Sequence, residues 1–123
     1  MVAISCRRLL QGEPARVTGT GAQTRDFVYV GDVARANVLA LGATTQGPMN
    51  IGTGTPTSII TVARTLTALA GLPADPEFVP PRPGEVPASY LDPARARARL
   101  GWTAQVPLEE GLKLTLESFR RTA

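Results

Sequence analysis

The residues of this chain with chemistry to offer are arginines set beside hydrogen-bond acceptors. Arg25-Asp26 stands directly before the apolar run Phe27-Val28-Tyr29-Val30, Arg82-Pro83-Gly84-Glu85 lies in a proline-rich stretch, and Arg16-Val17-Thr18 precedes a Gly-Thr-Gly turn. Arg82 offers positive charge and several donors, Glu85 can accept hydrogen bonds, and the prolines around them reduce the entropy lost when such a loop is fixed. At Arg25-Asp26 the question is what a charged pair does against the start of an apolar strand, where an unpartnered charge is costly. Groups that catalyse are scarcer. The chain has no histidine and one cysteine, Cys6, so the usual base and nucleophile arrangements, and zinc or iron clusters, are lacking.

Composition narrows the setting. A chain of 123 residues with 43% hydrophobic residues fits one small domain over residues 1–123, with a real core and no global disorder. The formal charge of +3 rests almost entirely on arginine, since Lys113 is the only lysine, and fits anions in general: phosphates, nucleotides or nucleic acid. Cys6 reads as a small buried apolar residue. Residues 1–10 place their arginines after the apolar residues and hold no signal-peptide core, and no stretch approaches the roughly 18 apolar residues of a membrane span. A soluble, cytoplasmic protein with no membrane partner is the expectation.

The elements that must position the arginines are short. Ala3, Cys6 and Leu10 at helical spacing predict a helix over 2–10, ended by Gly12 and Pro14. Arg16–Thr18 reads as a strand, Phe27–Val30 as another from its aromatic and β-branched composition, and Met49–Ile51 as a third. Asp32 is placed to cap a helix with Val33, Ala34, Val38 and Leu41 on its apolar side and Gly42 as its stop. Ser58 caps a clearer helix carrying Ile59, Val62, Ala63, Leu66 and Leu69. Residues 72–87 are too rich in proline for a central element, leaving Phe78-Val79 to pair at a sheet edge. Asp92 with Pro93 opens a helix closed by Gly101-Trp102. The last helix has Leu108, Leu112, Leu116 and Phe119 in one stripe, Glu109 and Glu110 in its first turn, and Arg120 and Arg121 in its last, as the macrodipole favours. This alternation reads as α/β, with too few strands for a complete doubly wound sheet, and so as part of a larger domain.

The blocks GTGAQTRDFVYVGDVARA, NIGTGTPTSI, PPRPGEVPASYLD and ARARLGWTAQVPLEEGLKLTLESF resemble, in order and spacing, the C-terminal portion of the extended short-chain dehydrogenase/reductases. The match is to NAD-dependent nucleotide-sugar epimerases and dehydratases, particularly those similar to UDP-glucose 4-epimerase, and covers nearly the whole chain. The resemblance implies a partial Rossmann-like, NAD(P)-binding fold: its C-terminal strands and helices with a small substrate-binding subdomain. It implies a parent reaction in which a UDP- or dTDP-hexose is oxidised at C4, held as a keto intermediate and given its hydride back, as in UDP-glucose/UDP-galactose 4-epimerisation. By the same resemblance Arg25 and Arg82 reach the diphosphate, Glu85 the ribose hydroxyls, and Arg16 to Thr18 lie against the base. Asp26 and the following strand then hold their segment against the nucleotide-binding domain.

The chain departs from the family in instructive ways. The glycine-rich NAD turn is absent, and so is the Tyr-x-x-x-Lys pair, since Tyr29 and Tyr90 are followed four residues on by Val33 and Ala94. Gly52-Thr53-Gly54 lacks the third glycine of a dinucleotide fingerprint and reads as a helix-entry turn. NAD therefore belongs to the complete family enzyme, and none is expected to bind tightly to this chain alone. Thr20, Gly31 and Pro87 stand where relatives often carry Asp, an acidic residue and Arg, which bears on base and sugar selectivity. The expected partners are a nucleotide diphosphate sugar and, because strands without neighbours leave open edges, a second copy of the chain or an NAD-binding half. The alternative is a non-catalytic structural or anion/nucleic-acid-binding module derived from a truncated enzyme, with Arg25-Asp26 a plain ion pair and residues 82–85 a solvated loop. Arg95, Arg97 and Arg99 spread around a helix and aromatic residues are only 5%, which argues against nucleic acid. Trp102 reads as core.

Overall fold

A computed structural model describes residues 1–122. In chain order its elements are α1 (Val2–Leu10), β1 (Arg16–Thr18), β2 (Thr24–Arg25), α2 (Val30–Leu41), β3 (Thr57–Ser58), α3 (Ile59–Leu69), β4 (Glu77–Val79), α4 (Ala94–Leu100) and α5 (Leu108–Thr122). The architecture is α/β. β1 pairs in parallel with β4, Val17 opposite Phe78, and β2 pairs antiparallel with β3, Arg25 opposite Thr57.

The main core forms where α1, α3 and α5 converge on β1. Cys6 and Leu9 from α1, Val17 from β1, Val62 and Leu66 from α3, and Leu112 and Leu116 from α5 are all buried in it. Each large apolar side chain so placed contributes about 1.5–3 kcal/mol. The pleat sends Val17 into this core and turns Arg16 and Thr18 to the opposite side, which is how a core strand comes to present polar groups to a site. Ser58 caps α3 as its type predicts, accepting from the Thr61 N–H at 3.3 Å. Gly21, at φ +76°, lets the turn after β1 press against the core: a Cβ there would lie 2.6 Å from Val17 Cγ1.

A second, smaller cluster joins α2 to α4. Ala36, Ala96 and Trp102 are buried, with Val28, Met49 and Ile51 packed against them. The Trp102 indole N–H donates to the Asp32 carbonyl oxygen at 2.8 Å, so the ring is core and not a stacking platform. Gly101, in the left-handed region at φ +63°, ends α4 as expected. The Asp92 carboxylate accepts from the Ala94 N–H at 2.9 Å, starting that helix within one residue of the predicted point.

Four expectations give way. Phe27–Tyr29 has no ladder partner and Val30 already belongs to α2; Met49–Ile51 is likewise no strand. Val28, Met49 and Ile51 pack against the second cluster and Phe27 against the main core, so their β-type composition reflects packing more than pairing, since β propensity measures fit to a half-buried surface. Asp32 does not cap α2, whose boundary residue is Tyr29. It sits buried within the first turn, where Oδ2 accepts from the Gln105 and Val106 N–H groups at 3.0 Å each and Oδ1 from Arg35 Nη2 at 3.1 Å. That anchorage fixes the rotation of the helix: Asp32 and Ala36 face inward, while Val38 and Leu41, expected on the buried side, are 66% and 89% exposed. Among the described residues no helix is long and apolar enough to cross a membrane.

Burial pushes the Asp32 carboxyl up, but the Val106, Arg35 and Gln105 donors outweigh it and hold the group below the ordinary aspartate range. A depressed folded-state value contributes stability above the unfolded-state value, near about 4, which is lost as pH falls through the folded value. Asp32→Asn is expected to cost about 2–3 kcal/mol at pH 7 and to flatten the decline in stability below pH about 4. Urea midpoints measured across that pH range check this; an acid limb identical in the two proteins would show that the carboxylate is not its source.

Candidate functional site

The parallel pairing of β1 with β4 does more than close a small sheet. It delivers the chain after Val79 directly beside the turn after β1, with the Gly19 N–H donating to the Val79 carbonyl at 2.9 Å. The proline-rich segment then crosses in front of β1 and returns to β2, where the Thr24 N–H donates to the Pro87 carbonyl at 3.0 Å and the Ser89 N–H to the Thr24 carbonyl at 3.1 Å. Between strand and loop lies a cavity of about 560 Å³, lined by Arg16, Thr18, Gln23, Arg82 and Glu85 with an apolar floor that includes Ile4 and Ile59. Its size falls in the range of small-molecule sites.

Of the five site residues read from the sequence, Arg16, Thr18, Arg82 and Glu85 line the cavity, and Arg25 touches it only through Glu85. Thr18 Oγ1 donates to Glu85 Oε2 at 3.3 Å, and Arg25 Nη2 lies 3.7 Å from Glu85 Oε1 at the cavity rim, so residues from β1, β2 and the loop converge on one carboxylate. Arg16 lines the cavity but directs Nε to Glu77 Oε2 at 2.9 Å, and its guanidinium holds the Glu77 carboxyl below the usual range. Arg82 is exposed and has no ion pair among the described residues. The lining and rim bring together three guanidinium groups, one carboxylate, a hydroxyl and an amide, donors and acceptors whose chemistry suits an anion and hydroxyl groups.

Gln23 escaped the sequence reading. Its Nε2 lies 3.1 Å from both the Thr18 carbonyl and Thr18 Oγ1 and 3.3 Å from Glu85 Oε1, tying the floor of the cavity to the loop. The signal was present: Gln23 and Arg25 are two residues apart in an extended segment and so share a side. Asp26 also finds partners inside this chain. Its carboxylate accepts from the Thr53 N–H at 2.9 and 3.0 Å, from Thr53 Oγ1 at 2.6 Å, from the Gly54 N–H at 3.0 Å and from the Leu91 N–H at 3.3 Å. Burial raises this carboxyl, but the Thr53, Gly54 and Leu91 donors more than compensate, so it too lies below its ordinary value.

That contact decides how the Gly52-Thr53-Gly54 turn is used. Successive backbone N–H groups in such a turn make an anion cradle, and here the internal carboxylate of Asp26 fills it. The turn therefore does not fit the pyrophosphate of NAD. Cys6 is buried in the core and burial pushes its thiol up, which makes it inert. Among the described residues no group of three His, Cys, Asp or Glu is arranged to hold a metal ion.

The fold and the strand-and-loop cavity define part of an extended short-chain dehydrogenase/reductase of the NAD-dependent epimerase/dehydratase class. Residues 2–115 match the GDP-mannose 4,6 dehydratase family, and the chain belongs to it. It is 44% identical over 121 residues to UDP-glucose 4-epimerase of Mycolicibacterium smegmatis, covering 98% of this chain and 39% of that one. The crystal structure of UDP-glucose 4-epimerase with UDP-glucose from Thermotoga maritima matches with a TM-score of 0.93 at 45% identity, over 98% of this chain and 39% of that chain. UDP-glucose 4-epimerase of Thermus thermophilus, in complex with NAD, matches with a TM-score of 0.87 at 38% identity, over 99% of this chain and 40% of that chain. The chain thus spans about two fifths of the length of these relatives.

The ion pair at the rim is partly exposed, 30% at Arg25 and 27% at Glu85, and such pairs contribute at most about 1 kcal/mol. Glu85→Gln is therefore expected to shift the urea unfolding free energy by no more than about 1 kcal/mol. A loss of several kcal/mol would make Glu85 a structural residue and not one held ready for a ligand.

Proposed function

We propose that this chain is the nucleotide-sugar-binding part of an NAD-dependent epimerase or dehydratase, with a UDP- or dTDP-hexose as ligand and UDP-glucose/UDP-galactose 4-epimerisation as the parent reaction. The observation that carries the proposal is the convergence of Arg16, Thr18, Gln23, Arg82 and Glu85 on one cavity, with Arg25 at its rim. Arg82, without an ion-pair partner among the described residues, makes the first contact with the diphosphate. Arg25 exchanges Glu85 for a phosphate oxygen, a shorter and stronger charge-assisted contact than the 3.7 Å pair. Glu85, so released, accepts from the ribose diol, while Thr18 and Gln23 face the base. The chain alone binds and orients. The base and cofactor of the parent reaction belong to the remaining length that the relatives have.

Calorimetric titration with UDP, at low and moderate salt, tests this. Saturable binding that persists at moderate salt is expected, with about tenfold loss in each of Arg25→Ala and Arg82→Ala, the size expected for a lost hydrogen bond to a charged group. Inorganic triphosphate, a polyanion without base or ribose, is expected to bind more weakly and to lose affinity with salt. No UDP binding by a chain shown to be folded would overturn the reading in favour of a purely structural module.

The same proposal concerns the uncovered surface. α2 presents Val30, Val38 and Leu41 at 70%, 66% and 89% exposure, and the sheets are two strands wide with open edges. Surfaces of this kind are covered in stable assemblies. In isolation the chain is expected to self-associate, giving species larger than 13.0 kDa in sedimentation velocity at micromolar concentration. A clean monomer would count against it.

A further inference from the structure

We propose that Asp26 is the clasp that holds the Arg82–Glu85 loop over the cavity, and hence a positioning residue for ligand binding there. The proposal rests on the nucleotide-site reading above for its ligand, and on geometry for the clasp itself. The loop leaves β4 at Val79 and contributes no side chain to either hydrophobic cluster among the described residues. Arg82 through Leu91 are exposed. With no apolar burial to fix it, the loop depends on polar attachment, and segments of that kind open locally at low cost.

Thr18, Gln23 and Arg25 reach Glu85 by their side chains, and the returning half of the loop is attached through main-chain groups at two further points. Thr24 bridges to Pro87, Ala88 and Ser89 through its main chain. Two residues beyond Thr24, Asp26 Oδ2 accepts at 3.3 Å from the N–H of Leu91, which is two residues beyond Ser89. The same carboxylate accepts from Thr53 and Gly54, in the turn that leads to β3, so the end of β2, the approach to β3 and the end of the loop meet at one charge. The fit is close on the fourth side as well: a Cβ on Gly52 would lie 2.6 Å from Asp26 Oδ2, so only glycine leaves the carboxylate room. Arg25, the next residue back, reaches Glu85 at the cavity rim. One carboxylate thereby ties the returning end of the loop that carries Arg82 and Glu85 to the end of the strand that aims Arg25. An amide in its place keeps the shape but turns an NH₂ group towards N–H donors, which repels at least one of them.

Asp26→Asn, Thr53→Val and Asp32→Asn, compared with the unmodified chain, separate positioning from general destabilisation. Asp32→Asn is the control, since Asp32 is a second hydrogen-bonded carboxylate that lies outside the cavity. The readouts are the UDP dissociation constant, thermal midpoint, and amide hydrogen exchange at Gly54, Leu91 and residues 82–89. Asp26→Asn is expected to weaken UDP binding about tenfold and to speed exchange across the loop, whereas Asp32→Asn lowers the midpoint comparably and leaves UDP affinity within about twofold. Thr53→Val, which removes one donor and keeps the backbone ones, falls between, and it carries the test should Asp26→Asn fail to fold. UDP affinity unchanged in Asp26→Asn, or loss of equal size in both aspartate variants, overturns the positioning role. Should the unmodified chain bind no UDP, the nucleotide reading fails and exchange alone judges the clasp: faster loop exchange in Asp26→Asn sustains it, and unchanged exchange sinks it.

Discussion

Two carboxylates do in this chain what a broad sheet does in a larger domain: they collect backbone N–H groups from segments far apart in sequence. Asp32 takes those of Gln105 and Val106, and Asp26 those of Thr53, Gly54 and Leu91. The need arises because the strands are two or three residues long and their sheets two strands wide, so most connecting backbone has no ladder to enter. Unpaired backbone donors away from water are costly, and an ionised acceptor with several lone pairs satisfies more of them than a carbonyl can. Both groups consequently lie below the ordinary aspartate range in spite of their burial.

The cavity follows from this economy of strands. Because β1 pairs with β4, the residues on the outer side of β1 are brought under the loop that follows β4, and because Thr24 of β2 bridges back to residues 87–89, the loop closes over them. Residues separated by more than sixty positions, Thr18 and Glu85, then share a hydrogen bond. The prolines of the loop lower the entropy of holding it there, and its lack of core side chains leaves its placement to polar contacts.

A helix whose rotation is fixed by Asp32 and Ala36 presents Val38 and Leu41 outward, where they leave apolar area in water. Relatives that share this fold at a TM-score of 0.93 are more than twice as long, since the matched region is 39% of their length.

Much of this was determined by the sequence alone. The α3 cap at Ser58, the apolar stripe of α5, the left-handed stop at Gly101, the core place of Trp102 and the edge pairing of Phe78-Val79 all follow from local composition and period. The motif blocks indicated the family, and with it the choice of Arg16, Thr18, Arg25, Arg82 and Glu85. Tertiary structure decided what local rules cannot reach. Phe27–Tyr29 and Met49–Ile51 have strand composition but no neighbouring strand, Asp32 has a cap's identity but lies where distant N–H groups need an acceptor, and Gln23 acquires its place only once the loop closes on β1. The physical reason is the same in each case. Helix periods and caps are settled within a few residues, whereas the partner of a strand, a buried carboxylate or a site amide is supplied by chain tens of residues away.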